Sequence, residues 1–213
     1  FTGSFDGRGF KITNLTINTL NAGNDYLGLF GSISAGAVVE NLTLENVKIT
    51  GGQDSFYLGG LAGVNAGAIR NCRVSGLITC TNDHTMLAGG LVGSNSASID
   101  ACSALVNLTI QGDSYAIGGL VGENFGTSAM VTTCFATGPV TVWDYSYYIG
   151  GLIGDNNRGT ISNSYAAGKV YGPYYYLRQV GGLAGRNSTG TIQNCFSSGR
   201  VEAGYSTNVG GFL

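Results

Sequence analysis

The stretch GGLIGDNNRGTISNSYAAGKVYGPYYYLRQV, residues 150–180, holds one full copy of a pattern that runs the length of the chain. Its opening, Gly150-Gly151-Leu152-Ile153-Gly154, returns as GGLxG at Gly59, Gly89, Gly118 and Gly181, 29 to 32 residues apart. A degenerate copy reads Leu27-Gly28-Leu29-Phe30-Gly31, and Gly210-Gly211-Phe212-Leu213 begins another. Self-similarity at such a period means stacked units, each completing its core only against its neighbours. Within the copy, three short strand-like runs alternate with Gly or Asn, and no run keeps a 3.6-residue period long enough for a helix. Three strands and three turns in about 30 residues predict one coil of a right-handed parallel β-helix, an all-β solenoid of six to seven coils whose equivalent strands pair about 4.8 Å apart.

Composition agrees. The 213 residues include 37 Gly but only two Pro, and charged residues are 10%, against about 25% in an average globular protein. The unbroken repeat predicts one domain: an incoming coil over 1–26, six repeats over 27–209 and a truncated seventh over 210–213. The net charge of −2 comes without a basic stripe, which argues against nucleic acid as a partner. No apolar run reaches 18 residues, so membrane insertion by a helix is not expected. Phe1 and the interrupted last copy suggest a segment of something longer, ending on a sheet edge that another copy or a flanking domain would cover by stacking end to end.

Alternation assigns columns. Leu61, Leu91, Leu120, Leu152 and Leu183 should point inward, followed by the glycines at 63, 93, 122, 154 and 185. Asn65, Asn95, Asn124, Asn156 and Asn187 should then form a hydrogen-bonded amide ladder. Ile69, Ile99, Val131, Ile161 and Ile192 open the second run, and Ile78, Val140, Val170 and Val201 belong to the third. Cys72, Cys102, Cys134 and Cys195 share one slot with Leu42 and Ser164, which predicts buried free thiols rather than disulfides or a metal site. Cys80 lies outside that slot and is expected to be the most exposed thiol.

The Gly-Leu-x-Gly core, as in Gly60-Leu61-Ala62-Gly63, and its continuation Gly67-Ala68-Ile69-Arg70-Asn71-Cys72 resemble the GLUG motif, and FDGRGFKITNLTI (residues 5–17) is similar to the segment that often precedes it. The resemblance implies large bacterial surface or secreted proteins, among them adhesin-like proteins and the noncatalytic region of immunoglobulin A metallopeptidases. It transfers no catalytic residue. The HExxH motif of those peptidases is absent, and His84 is the sole histidine.

Function should therefore sit in what varies. The loops before each GG are the most irregular and aromatic segments, with Trp143, Tyr145, Tyr147 and Tyr148 in one and Tyr174, Tyr175 and Tyr176 in the next. Such a band suits a host or cell-surface glycan or a protein partner, because flat apolar faces stack while hydroxyls find acceptors. The alternative is that these rings only cover the sheet. Phe135, Tyr165 and Phe196 are expected to point outward in a column of their own. Asp54, Asp83, Asp113 and Asp144 precede their GG pairs by five or six residues; Ca²⁺ could bridge such carboxylates, although solvated turns explain them as well. No other cofactor is indicated. Val64, Ser94, Glu123, Asp155 and Arg186 should form an outward column, read first as an ion-pair column and second as the acidic pair of a polysaccharide-active β-helix enzyme. The favoured expectation is a noncatalytic extracellular or cell-surface solenoid acting as a stalk, fibre unit or adhesive surface; a carbohydrate-binding module is the alternative.

Overall fold

The computed structural model describes residues 1–20, 25–80, 85–143 and 145–213, with side chains at all of these except 85, 86, 174 and 175. His84, Asp83, Asp144 and the side chains of Tyr174 and Tyr175 thus lie outside the described residues. The chain is an all-β parallel solenoid of about six turns. No helix occurs among the described residues, so none is long and apolar enough to cross a membrane.

One coil shows the plan. Tyr57–Gly59 leads into a bend at Gly60 and Leu61, then come Ala62–Asn65, Ala68–Arg70 and Arg73–Cys80. Each segment pairs in parallel with its counterparts one coil away: Asn65 with Asn95, Ile69 with Ile99, Ile78 with Leu108. The first residues join the same stack, with Phe5 beside Val39 and Ile17 beside Ile49. Leu61, Leu91, Leu120, Leu152 and Leu183 are fully buried, as are Ile69, Ile99, Val131 and Ile161, so a narrow aliphatic core runs along the axis.

The motif glycines mark where two backbones touch. A Cβ on Gly90 would lie 2.9 Å from the Ala104 Cβ, and one on Gly119 or Gly151 would lie 3.0 Å from the Cβ of Ala136 or Ala166. Such a Cβ would also meet the next coil's backbone, as at the Gly119 carbonyl oxygen for Gly90, and the last glycine of the motif faces backbone too: a Cβ on Gly93 would sit 2.8 Å from Leu58 N. Strict alternation fails beside it. The variable residue of GGLxG, which simple alternation with the inward Leu would turn outside, is fully buried at Ala62, Val92, Val121, Ile153 and Ala184. The bend turns it under the neighbouring coil's first glycine, where a Cβ on Gly59 would come within 2.7 Å of the Val92 Cα.

Two polar ladders hold the corners. Nδ2 of Asn65, Asn95, Asn124 and Asn156 each donates to Oδ1 of the next asparagine, the last being Asn187, at 2.7–2.8 Å. Each such bond is worth about 1 kcal/mol net, while an unpaired buried amide would cost more. The cysteine slot makes a second ladder. Cys102 Sγ accepts from Cys72 N at 3.4 Å and contacts the Asp100 carbonyl at 3.1 Å, and Ser164 Oγ substitutes by accepting from Cys134 N at 3.0 Å. All five cysteines are free. Cys80 is not the exposed one. The strand reaches that far, so its thiol is buried against the Gly52 carbonyl at 3.3 Å, and Cys195 is the more accessible thiol.

The residue before the cysteine slot adopts a left-handed backbone in successive coils: Asn41, Asn71, Ala101, Thr133, Asn163 and Asn194 have φ between 48° and 56°. Asn tolerates this region and a β-branched side chain does not. Thr133→Asn, exposed at that corner, should stabilise the fold by about 1 kcal/mol. That corresponds to a rise of about 2–4 °C in Tm by calorimetry; an unchanged or lower Tm would show that the corner is not strained.

Candidate functional site

The acidic column has the predicted register. Ser94 pairs with Glu123, Glu123 with Asp155, and Asp155 with Arg186. Its surroundings are not the open sheet that the sequence suggests. Asp155 has 0% exposure. Arg186 grips it in a bidentate pair, Nε to Oδ1 at 2.9 Å and Nη2 to Oδ2 at 2.5 Å. The same guanidinium donates to Tyr148 Oη at 2.7 Å and to Tyr115 Oη at 3.3 Å, and lies 4.0 Å from the Tyr148 ring centroid. Tyr115 and Tyr148 meet edge to face at 5.0 Å. Two tyrosines from neighbouring coils thus roof the ion pair.

Electrostatics follow from this enclosure. The hydrogen bond to Asp155, ahead of the desolvation that opposes it, holds Arg186 more firmly charged than usual. Burial pushes the Tyr115 phenol up. Burial and then the Asp155 charge push the Glu123 carboxyl above its ordinary value, against the opposing pull of Asn157 and Arg186. A carboxylate with a raised folded-state pKa stabilises the fold below its unfolded pKa, and this contribution is lost as pH rises through the folded pKa. Glu123→Gln should therefore raise Tm at neutral pH, with the difference from the parent shrinking as pH falls through the raised pKa and vanishing by the ordinary glutamate value, about 4.3. A Tm difference independent of pH would remove this explanation.

The two carboxylates of the column differ in access, Asp155 being fully buried and Glu123 half-buried. Arg186 engages both Asp155 oxygens, and no exposed surface admits a substrate to that carboxylate. Retaining hydrolysis needs a nucleophile that reaches the sugar.

An open site lies beside it. Asp113, Tyr145, Tyr147, Tyr176, Leu177, Arg178, Tyr205 and Thr207 line a pocket of about 330 Å³. Tyr145 and Tyr176 stack at 5.0 Å and 13° yet keep 53% and 62% of their surfaces exposed. Arg178 lies 4.8 Å over the Tyr147 ring. Of the expected tyrosines, Tyr145, Tyr147 and Tyr176 come together here, whereas Tyr148 belongs to the Arg186 roof and half-buried Trp143 is not part of the lining. Arg178 and Thr207 were not foreseen from the sequence, Asp113 was read as a solvated turn or a Ca²⁺-bridging carboxylate, and Tyr205 as a member of the aromatic loop band. Only the loop geometry assembles them, although Asp113 and Tyr205 stood in the variable segments. Among the described residues no cluster of three or more His, Cys, Asp or Glu could hold a metal ion.

Elsewhere aromatic columns stack regularly. Phe135, Tyr165 and Phe196 lie 5.1 and 4.9 Å apart at 5° and 4°, and Tyr26 and Tyr57 lie 5.2 Å apart.

Comparison with known proteins matches this architecture. Residues 54–79, 113–142, 145–171 and 176–202, just over half of the chain, match the family model described as "The GLUG motif". Halomucin of Haloquadratum walsbyi is 40% identical over 109 residues, which is 50% of this chain and 1% of halomucin. A "Putative Gly-rich membrane protein" of Evansella cellulosilytica is 38% identical over 74 residues, 35% of this chain and 8% of that protein. The chain thus spans a small part of either relative. The structure titled "Crystal structure of a putative immunoglobulin A1 protease from Bacteroides ovatus" superposes on 99% of this chain and 69% of its own, with a TM-score of 0.65 and 17% identity, a likeness of fold. The four matched segments each contain a bend of the kind seen at Gly60 and Leu61, or the strands that follow it, and on that ground the chain belongs to the GLUG-motif family.

Proposed function

We propose that this chain is a noncatalytic β-solenoid segment of an extracellular protein, surface-bound or secreted, that serves as a stalk or fibre unit and presents its loops as a binding surface. One observation carries the reading: the repeat forms a stack paired from Ser4 to Gly210, and Asp155, one of the two carboxylates that could have done chemistry, is fully buried and held by Arg186 beneath Tyr115 and Tyr148. The relatives support it. One is named halomucin, a mucin-like name, and another a putative Gly-rich membrane protein. Stacking end to end on other copies or on flanking domains would extend such a rod by the same strand pairing.

Antibody labelling and protease shaving of intact producing cells, with the culture medium assayed alongside, test the location. Detection only after lysis would overturn it. A panel of polysaccharides assayed for released reducing ends tests the noncatalytic part, and turnover abolished by Glu123→Gln would establish the enzyme reading instead.

A further inference from the structure

The geometry points to a carbohydrate subsite in the pocket of Tyr145, Tyr147, Tyr176 and Arg178, one that takes a neutral pyranose of an oligosaccharide. The inference deepens the binding-surface part of the proposed function and does not depend on where the protein is located.

Backbone conformation provides the first support. Tyr145 and Tyr176 both adopt the left-handed region, with φ of 43° and 66°. A bulky aromatic is disfavoured there and persists only where the surroundings impose it. Tyr176 also sits at an irregularity of pairing, between Tyr175 and Leu177, in the strand Val170–Gly181. Bulges of this kind re-aim side chains and gather beside binding and active sites. Here the two departures place the rings face to face in the pocket wall, still more than half exposed.

Rigidity provides the second. Thr207 Oγ1 donates to the Arg178 carbonyl at 2.7 Å, Arg178 N donates to the Ser146 carbonyl at 3.1 Å, and Gln179 N donates to the Tyr147 carbonyl at 2.8 Å. The wall is therefore tied to both neighbouring coils before any ligand arrives, which lowers the ordering cost of binding.

Composition then selects the ligand. Tyrosine faces take the apolar C–H face of a sugar ring, and phenol hydroxyls supply donors and acceptors at the rim. Arg178 and Asp113 add one donor-rich and one acceptor group of opposite sign, so the described lining residues carry no net charge to demand an ionic ligand. A volume of about 330 Å³ falls at the small end of ligand sites, in keeping with one or two sugar rings.

The test is a titration of the intact chain, followed by NMR and calorimetry, with neutral tetrasaccharides of gluco, galacto and manno configuration and tetragalacturonate as the acidic counterpart. The expected result is saturable binding of at least one neutral tetrasaccharide. Tyr176→Gly, which removes the ring and relieves the backbone, should weaken that binding at least about tenfold, while Phe196→Ala in the separate aromatic column leaves it unchanged. A Tm for Tyr176→Gly at or above that of the parent would show that the loss is not unfolding. Absence of binding by every neutral probe, binding of tetragalacturonate alone, or equal affinity in Tyr176→Gly would overturn the proposal. None of these outcomes bears on whether the protein is extracellular, which the labelling experiment decides separately.

Discussion

Gly122→Ala is expected to cost at least about 3 kcal/mol, at the upper end of what overpacking does, and to lower Tm by roughly 10 °C in a chain of this size. The added Cβ would stand 2.5 Å from the Gly93 carbonyl oxygen, 2.8 Å from Ala88 N and 3.0 Å from Ala88 O. Every obstacle is backbone, and that backbone is itself hydrogen-bonded into neighbouring coils, so relief requires prising strands apart. The same motif position provides its own control. At Gly31, in the first copy, the nearest atoms to a Cβ are Tyr26 Cβ at 3.6 Å and Tyr26 O at 3.7 Å, ordinary contacts. Gly31→Ala should therefore shift stability by no more than about 0.5 kcal/mol. Urea denaturation of the two variants beside the parent decides the matter. Equal losses would mean that the glycine is needed for some reason other than the close approach of two coils.

The second large effect is expected at Arg186→Met. The substitution preserves much of the stem's volume but leaves the Asp155 carboxylate fully buried with its bidentate partner gone. Breaking a buried pair from one side costs about 3–5 kcal/mol. The double substitution Asp155→Asn, Arg186→Met should lose less than the sum of the single changes, since no buried charge remains. Additive losses in that cycle, or a penalty below about 1 kcal/mol for Arg186→Met alone, would mean that the pair contributes little.

Much of this was legible in the sequence, and the reason is the regularity of the period. Because the Asn slot recurs at one offset from GGLxG, the link from Asn65 to Asn95 could be read before any coordinates, and so could the register of Glu123, Asp155 and Arg186. What escaped were features set by departures from the period. Cys80 looked exposed because it fell beyond the last recurring position, yet the strand continues through it. Asp155 looked outward because alternation places it so. It does leave the core, but into the roof made by Tyr115 and Tyr148, and no pattern in one coil announces where the next coil's aromatic ring will lie. Tyr148 was grouped with Tyr145 and Tyr147 because they are neighbours in the chain. Alternating direction sends it to Arg186 and the other two to the open pocket.

The asparagine ladder has a sense as well as a strength. Asn65 Oδ1 accepts from Gly67 N while its Nδ2 donates to the Gly67 carbonyl, and this local turn fixes which end of the amide faces which neighbour. All the side-chain dipoles in the column consequently point one way, from Asn65 toward Asn187. A two-fold symmetric meeting of two such columns would oppose amide to amide or carbonyl to carbonyl, so it could not continue the row. Only a head-to-tail arrangement can, and a head-to-tail contact that does not close into a ring is the kind that propagates. A row of five small side chains thus makes the solenoid directional: whatever extends the column must enter with the same polarity.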